Sequence, residues 1–262
     1  MAKYEKIADD LRARIGAGEW LPGGKLPSET PELTGQYKTS LPTIRQALAV
    51  LATEGVVDKV HGRGNFVRKP RRPVVRTNER HQWEKDRARQ SEEARQSTGA
   101  TEHDTGLTLS DLVFSADFKH IEAPEDLAKL FGVPEGTRLL ERVYRTRYRE
   151  EDYPFNLVHS YLVHDVVKAN SDLLDASKEP WPGGTQNQLH TIGIELDRVV
   201  EHITARPPTV QEAEELGIKA GVSVLVLRKI SFDSDGKAVE VADVAMPGDR
   251  TELVFSTPLT RW

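Results

Sequence analysis

Residues 41–67, LPTIRQALAVLATEGVVDKVHGRGNFV, carry the clearest structural pattern in the N-terminal part of the chain. Ile44, Leu48 and Leu51 recur with the periodicity of one buried helix face, so this part predicts a helix. Gly55 provides the C-terminal stop of that helix. The apolar residues on either side of the later glycines predict a β-hairpin. A helix followed directly by a two-stranded hairpin is therefore expected.

The tip of this hairpin reads His61-Gly62-Arg63-Gly64 and holds an arginine between two glycines. A tight turn needs only the glycines. An arginine on such a tip can reach into a narrow groove of negative potential, and the glycines let the backbone come close to that surface. We interpret His61, Gly62 and Arg63 as nucleic-acid contacts. The simpler interpretation of His61 is a turn residue that makes no such contact.

Two further helices are expected before this stretch. The first has an apolar face formed by Ile7, Ala8, Leu11 and Ile15. A turn-rich bridge and a short second helix follow, up to residue 38. Helix, short helix, helix and hairpin is the order of a winged helix-turn-helix domain, whose last helix enters the major groove of DNA.

The start of the third helix carries the side chains that would face base edges. Ser40 is the expected N-cap, and Pro42 lies in the first turn, where proline is tolerated. Thr43, Arg45 and Gln46 point away from the apolar stripe and are predicted to contact DNA. The competing interpretation of Arg45 is an ion pair with an acidic residue of a helix.

Three separated motifs, GEWLPGGKLPSE, TSLPTIRQALAVLATEGVV and HGRGNFV, resemble the GntR-type bacterial transcriptional regulators over about the first 68 residues. The resemblance implies that DNA contacts come from the start of the third helix and from the wing. By position these contacts fall on Ser40, Thr43, Arg45, His61, Gly62 and Arg63. Where the family often has arginine after the cap serine, this chain has Leu41. That leucine either touches a thymine methyl group or makes a buried contact within the domain.

Composition and charge limit the class of protein. The chain has no cysteine, which excludes disulfides and thiolate metal sites. Residues 1–80 contain 15 Lys+Arg against 9 Asp+Glu, a net charge of +6, whereas the remainder contains 21 against 32, a net charge of −11. A basic N-terminal part favours a polyanionic partner. No signal peptide or membrane-spanning apolar run is recognised, so we expect a cytoplasmic protein without a membrane partner.

Residues 70–106 are predicted to form a charged, partly helical linker. They are rich in helix-forming polar residues, and Trp83 is their one strong apolar anchor. Arg71, Arg72 and Arg76 are either non-specific phosphate contacts or solubilising groups. The expected organisation is a DNA-binding domain at 1–69, this linker, and a second domain at 107–262.

The second domain has the pattern of an α+β fold with an antiparallel sheet. The segment TRLLERVYRTRYR predicts a strand that places Arg145 and Arg147 on one face. The segment DSDGK predicts a tight turn between two strands. The pattern of a helix, a glycine turn and a basic strand occurs twice, at residues 123–145 and 209–231. Strands joined as hairpins with a few helices are typical of the α+β class.

This layout resembles the effector-binding domain of the HutC branch of GntR regulators, which is similar in fold to chorismate lyase. The resemblance implies a pocket in the sheet for a small, anionic molecule. By position the implied contacts are Arg145, Arg147, Ser160, Tyr161 and Glu240. Many members have an acid where this chain has Val158, which weakens the case for a sugar phosphate. The alternative is that the arginines form ion pairs on a solvated face and that the serine and tyrosine only complete a strand.

Together these patterns predict a transcriptional repressor that a small-molecule effector releases from its operator. A homodimer is expected to read an inverted repeat of double-stranded DNA. The alternative is a DNA-binding protein whose second domain only dimerises and binds no metabolite. The sequence has no nucleophile elbow, phosphate-binding glycine loop or metal-ligand spacing, so we expect neither an enzyme nor a cofactor.

Overall fold

The computed structural model describes residues 1–260, which divide into two compact units. The first unit comprises Met1–Arg71 and Ile218–Ser223, and the second comprises Arg72–Gly217 and the described residues from Val224 onward. Among the described residues, no helix has both the length and the apolar character needed to cross a bilayer. The predicted α+β class, with a winged helix-turn-helix at the N-terminus, is confirmed.

The first unit consists of α1 (Lys3–Gly16), α2 (Thr34–Tyr37), α3 (Leu41–Thr53), β1 (Val57–Val60) and β2 (Gly64–Val67). A helical turn, Glu29–Leu33, leads directly into α2. β1 and β2 form an antiparallel hairpin. The core joins α1, α3 and the hairpin through buried apolar side chains, among them Ile7, Leu11, Ile44, Leu48, Leu51, Val57 and Val67. The apolar stripes seen in the sequence are therefore the buried faces of the two long helices.

The second unit is built on a six-stranded antiparallel sheet with the strand order β4-β5-β6-β9-β8-β7. Its strands are β4 (Leu112–Glu122), β5 (Arg138–Tyr148), β6 (Leu157–Val163), β7 (Leu196–Arg206), β8 (Val224–Asp233) and β9 (Ala238–Pro247). The helices between them are α7 (Glu125–Phe131), α8 (His164–Val167), α9 (Gly184–His190) and α10 (Val210–Leu216). Both copies of the predicted helix–glycine–strand pattern are present, as α7–β5 and α10–β8.

The two faces of this sheet pack against different helices. One face, the Arg142 face, carries Leu140, Arg142 and Leu162 and packs against α9 through Leu189. The opposite face, the Arg145 face, carries Leu139, Glu141 and Arg145 and packs against α7. Because side chains alternate along a strand, neighbouring residues of β5 belong to different compartments.

The segment between the first unit and the sheet is ordered within the second unit. It forms β3 (Val74–Thr77), α4 (Arg80–Ala88), α5 (Glu92–Gln96) and α6 (Ala100–Thr105). β3 pairs in parallel with β10 (Thr251–Val254). α4 packs beside α9, where Asn187 Nδ2 donates to the carbonyl of Ala88 at 2.8 Å and Gln186 Nε2 donates to that of His81 at 3.0 Å.

Candidate DNA interface and ligand pocket

The N-terminus of α3 presents polar groups to solvent. Ser40 has an extended backbone before the first turn, and its Oγ lies 3.0 Å from Thr43 Oγ1. Ile44 is fully buried, which turns Arg45 and Gln46 outward, and both are exposed. The first turn of α3 therefore offers hydroxyl groups, an amide and a cation at the helix end where the backbone N–H groups also point outward.

Arg45 is paired without being buried. Its Nε donates to Glu29 Oε2 at 2.8 Å, while 59% of the arginine side chain remains exposed. Glu29 Oε1 also accepts a hydrogen bond from Asn65 Nδ2 of β2 at 3.3 Å. The hydrogen bond from Arg45 lowers the pKa of Glu29 by more than burial raises it. The ion pair considered from the sequence is thus present, and Glu29 ties α3 to the hairpin.

The hairpin tip keeps its three expected contact residues at the surface, since His61, Gly62 and Arg63 are all exposed. Gly62 has φ +71° and Gly64 has φ +116°, backbone conformations that side-chain-bearing residues rarely adopt. The guanidinium carbon of Arg63 lies 5.8 Å from the ring centroid of Phe66 on the same hairpin. The tip is consequently a thin loop with an accessible cation, the shape that a minor groove accepts.

The five residues expected to hold an effector are divided between the two faces of the sheet. Ser160 pairs with Arg142 across strands, and both Ser160 and Glu240 belong to the Arg142 face. Arg145, Arg147 and Tyr161 belong to the Arg145 face, because they alternate with that set. The structure therefore brings together the serine and the glutamate, and it places the arginine pair on the other side of the sheet.

A buried polar cluster surrounds Arg142, whose side chain is fully excluded from solvent. Its Nη1 donates to Gln188 Oε1 of α9 at 2.6 Å. Its Nη2 lies 2.9 Å from Ser160 Oγ, 3.2 Å from Thr185 Oγ1 and 3.4 Å from Glu240 Oε1. The Nε of Arg142 has no hydrogen-bond partner among the described residues. An arginine in this position is a strong binding group for a small anion, because burial strengthens every charge interaction it makes.

Glu240 is the acidic centre of the same cluster. It is 2% exposed and accepts hydrogen bonds from Ser160 Oγ at 2.8 Å and from Ser231 Oγ at 3.3 Å. Lys229 Nζ lies 2.9 Å from its Oε2. Burial raises the pKa of Glu240, but the charges of Lys229 and Arg142 outweigh burial and lower it from 4.5 to about 2. Two cations thus share one carboxylate.

The segment between β6 and β7 covers this cluster through Glu179 and Gln188. Tyr144 of β5 donates its hydroxyl to Glu179 Oε1 at 2.8 Å. Gln188 Nε2 donates to the same oxygen at 2.8 Å, so one α9 side chain bonds both Arg142 and Glu179. Burial raises the pKa of Tyr144 well above its usual value, and the hydroxyl remains a donor. This cover keeps the Arg142 side chain out of contact with solvent.

The arginine pair of the opposite face makes structural contacts. Arg145 Nε lies 2.8 Å from Glu215 Oε2 of α10, and its Nη1 lies 2.9 Å from Asp117 Oδ2 of β4. Arg147 Nη1 donates to the carbonyl of Glu151 at 3.0 Å. Arg145 therefore fastens α10 to the sheet, and Arg147 closes the loop that follows β5.

A groove of about 500 Å³ also lies on the Arg145 face. Arg228 in this groove is already paired with Asp243, at 2.6 and 2.7 Å. Arg206 is paired in the same way with Glu212, at 2.6 and 2.7 Å. With its arginines neutralised by neighbouring carboxylates, this groove offers an anion less than the buried cluster does. Among the described residues, no group of three or more His, Asp or Glu is placed to hold a metal ion.

Arg142, the centre of the buried polar cluster, is the residue that the sequence interpretation did not select. A signal was present, because Arg142 lies between Leu140 and Tyr144 on one face of β5. The Arg-x-Arg spacing instead indicated Arg145 and Arg147, which lie on the opposite face of the sheet. A cation such as Arg142 that alternates with buried residues indicates a buried polar cluster more directly than the Arg145 and Arg147 spacing does.

Two family models match this chain. The model described as "UTRA domain" matches residues 115–252, and the model described as "Bacterial regulatory proteins, gntR family" matches residues 3–67. The chain is 26% identical over 255 residues to the HTH-type transcriptional repressor NagR of Bacillus subtilis, covering 96% of this chain and 93% of the relative.

A further relative and a solved structure match the same two regions of the chain or the whole of it. The histidine utilization repressor of Klebsiella aerogenes is 38% identical over 68 residues, covering 26% of this chain and 28% of the relative. A crystal structure described as a GntR-family transcriptional regulator is 25% identical, with a TM-score of 0.65 and coverage of 99% of both chains.

Proposed function

This chain belongs to the GntR family of bacterial regulatory proteins and carries a UTRA domain, and from that premise we propose how it recognises DNA and what class of ligand it senses. It is a DNA-binding transcriptional regulator, as its relatives are. UTRA domains bind small-molecule effectors, so the alternative of a second domain that only dimerises is not favoured. A non-catalytic role and a cytoplasmic location stay predictions.

For DNA recognition we propose that α3 lies in the major groove and the hairpin tip in the adjacent minor groove. The proposed contacts are Ser40, Thr43, Arg45, Gln46, His61, Gly62 and Arg63. The exposed guanidinium of Arg45, held in place by Glu29, supports this arrangement most directly. Holding a long side chain in one direction before binding reduces the entropy lost on contact with a base.

The operator is proposed to be an inverted repeat bound by a homodimer. A two-fold protein places two recognition helices about 34–36 Å apart, one turn of the double helix, and so matches a two-fold site. We propose residues 1–69 as the DNA-binding domain, residues 107–262 as the part that senses the effector and dimerises, and residues 70–106 as the connection.

The effector is proposed to be a small anion held by Arg142 and Ser160, beside the carboxylate Glu240, which keeps Ser160, Arg142 and Lys229 in place. The single observation that carries this proposal is the buried guanidinium of Arg142, whose Nη groups are bonded by α9 side chains that a ligand oxygen can replace. Ser160 and Glu240 remain in the proposed site. Arg145 and Arg147 are assigned to fastening α10 and the loop after β5.

Selection of genomic DNA fragments by the purified protein tests the DNA part of this proposal. We expect an enriched inverted repeat, a complex that contains two chains, and loss of enrichment for Arg45→Ala. Recovery of fragments with no shared sequence would contradict it.

A thermal-shift screen of phosphates and carboxylates tests the effector part. A true ligand raises the unfolding temperature with the logarithm of its concentration. We expect the same compound to weaken operator binding, and Arg142→Met to abolish both effects. A second unit that ignores every anion would favour a pure dimerisation role.

A further inference from the structure

Two histidines from different elements meet at one edge of the six-stranded sheet. His120 lies near the end of β4, which is an edge strand, and His164 is the first residue of α8, directly after β6. Their ring centroids are 4.9 Å apart, and the ring planes are inclined at 70° to each other. The fold brings these imidazoles together, and neither the proposed DNA contacts nor the proposed effector site uses them.

The spacing of the two rings is that of imidazoles bound to one metal ion. Zn²⁺ binds an imidazole nitrogen at about 2.0–2.1 Å, so two histidine ligands of one ion hold their ring centroids roughly 4.5–5.2 Å apart at coordination angles of about 90–110°. The observed separation of 4.9 Å lies within this range. Because the χ2 angle of histidine is broad, the exposed ring of His120 can turn a nitrogen toward the ion.

A carboxylate beside one nitrogen of His164 selects the other nitrogen as the metal ligand. Nδ1 of His164 lies 3.5 Å from Asp165 Oδ1, and Lys168 Nζ lies 2.6 Å from the same carboxylate oxygen. A carboxylate at one ring nitrogen favours the proton there, which leaves Nε2 with a free lone pair. The side chain of His164 is only 15% exposed, so packing limits the directions that its ring can take.

His120 meets the other requirements of a ligand, which are a neutral ring and access from solvent. Metal ions bind the neutral imidazole, so protonation competes with binding. Burial, followed by the charges of Arg138 and His164, lowers the pKa of His120 and favours its neutral form. The side chain is exposed, so an ion from solvent reaches it without opening the core. Since Arg138 also repels a cation, binding depends on coordination rather than on local charge.

We propose that His120 and His164 form a binding site for a first-row transition metal ion of the Zn²⁺, Ni²⁺ or Cu²⁺ type, which fastens β4 to α8. Imidazole suits these ions, whereas Mg²⁺ and Ca²⁺ prefer oxygen ligands. Two protein ligands leave the remaining coordination positions to water on the exposed side, in keeping with the absence of a group of three or more ligating side chains among the described residues. The inference does not rest on the proposed function, because the ion would bind outside the buried Arg142 cluster.

Calorimetric titration of the untagged full chain with Zn²⁺ tests the shared site. We expect His120→Gln and His164→Gln each to weaken binding at least about tenfold. The double variant is expected to bind hardly more weakly than either single variant, because one ion needs both ligands, whereas independent sites would give additive losses. Circular dichroism without metal checks that each variant keeps its fold.

His202→Gln is the matched control, because His202 is an exposed histidine on β7, the other edge strand. It is expected to bind Zn²⁺ as the wild type does. An equal loss of binding in His202→Gln, or additive losses in the double variant, would overturn the shared site.

Substoichiometric Co²⁺, a paramagnetic ion used in place of Zn²⁺, provides a second test on the unsubstituted protein by nuclear magnetic resonance. Of the eight histidines, we expect His120 and His164 to show the first broadening of imidazole signals, and we expect an excess of Mg²⁺ not to reverse it. Broadening shared equally by all eight histidines, or reversal by Mg²⁺, would overturn the proposal. Operator selection and the anion screen need no added metal, so their failure is distinguishable from failure of this site.

Discussion

Replacing Glu240 by glutamine is the sharpest test of the buried cluster. Glutamine keeps the size of the side chain and can still accept from Ser160 and Ser231, but it removes the charge that Arg142 and Lys229 share. Both cations then remain in the interior without that carboxylate. The expected result is a large loss of stability in the second unit, with its fold retained.

The size of this loss follows from the charge that the substitution removes. Removing one partner of a buried ion pair costs about 3–5 kcal/mol. The pKa of Glu240 falls from 4.5 to about 2 on folding, and at about 1.36 kcal/mol per pKa unit this corresponds to about 3 kcal/mol. For a unit of this size, such a loss lowers the unfolding temperature by about 6–12 °C.

The stability that ionised Glu240 contributes is expected to decrease as the pH falls. A folded-state pKa below the unfolded value contributes stability that is complete above about pH 4.5 and disappears as the pH falls toward about 2. The difference in free energy of unfolding between wild type and Glu240→Gln is therefore expected to shrink across this pH window, so that the two proteins become equally stable at its acid end.

Urea denaturation followed by circular dichroism, at neutral pH and at steps through the acid window, measures both effects. Glu122→Gln removes an exposed carboxylate from the same sheet and is expected to change the free energy of unfolding by less than about 0.5 kcal/mol. A loss below about 1 kcal/mol for Glu240→Gln, or a gap from wild type that persists unchanged in acid, would refute the reasoning.

The remaining predictions concern the DNA-binding unit and α10. Arg45→Ala is expected to weaken operator binding by about 1–3 kcal/mol in gel-shift titrations and to spare random DNA; an equal loss on both would identify a phosphate contact. Gly62→Ala, at φ +71°, is expected to cost about 1–2 kcal/mol in urea denaturation. Arg145→Ala is expected to lose at most about 1 kcal/mol and to keep the effector response, because its ion pairs with Glu215 and Asp117 are partly exposed. Loss of that response would return Arg145 to the binding site.

The DNA-binding unit was largely predictable from sequence because its signals are local. The periodicity of Ile44, Leu48 and Leu51 identifies the buried face of α3, and the outward direction of Arg45 follows from it. The glycines of the hairpin tip specify a backbone that few other residues adopt. Each of these inferences depends on residues only a few positions apart.

The proposed effector site was only partly predictable, because the contacts of its buried cluster join distant residues. Ser160 and Glu240 were identified through a family pattern, whereas Arg142 was overlooked because a shift of one position along β5 exchanges the two faces of the sheet. The burial of Arg76 depends on Glu201, 125 residues away in the chain, and the composition of a charged segment gives no indication of such a partner.

The parallel pairing of β3 with β10 has a consequence for the order of events on the ribosome. The residues of the first unit leave the exit tunnel early and can fold while translation continues, because their core is made by local contacts. Val74–Thr77 emerges soon afterwards but has no strand to join until Thr251–Val254 has been synthesised. A nascent chain therefore holds a folded DNA-binding unit before the β3–β10 pair of the second unit can form.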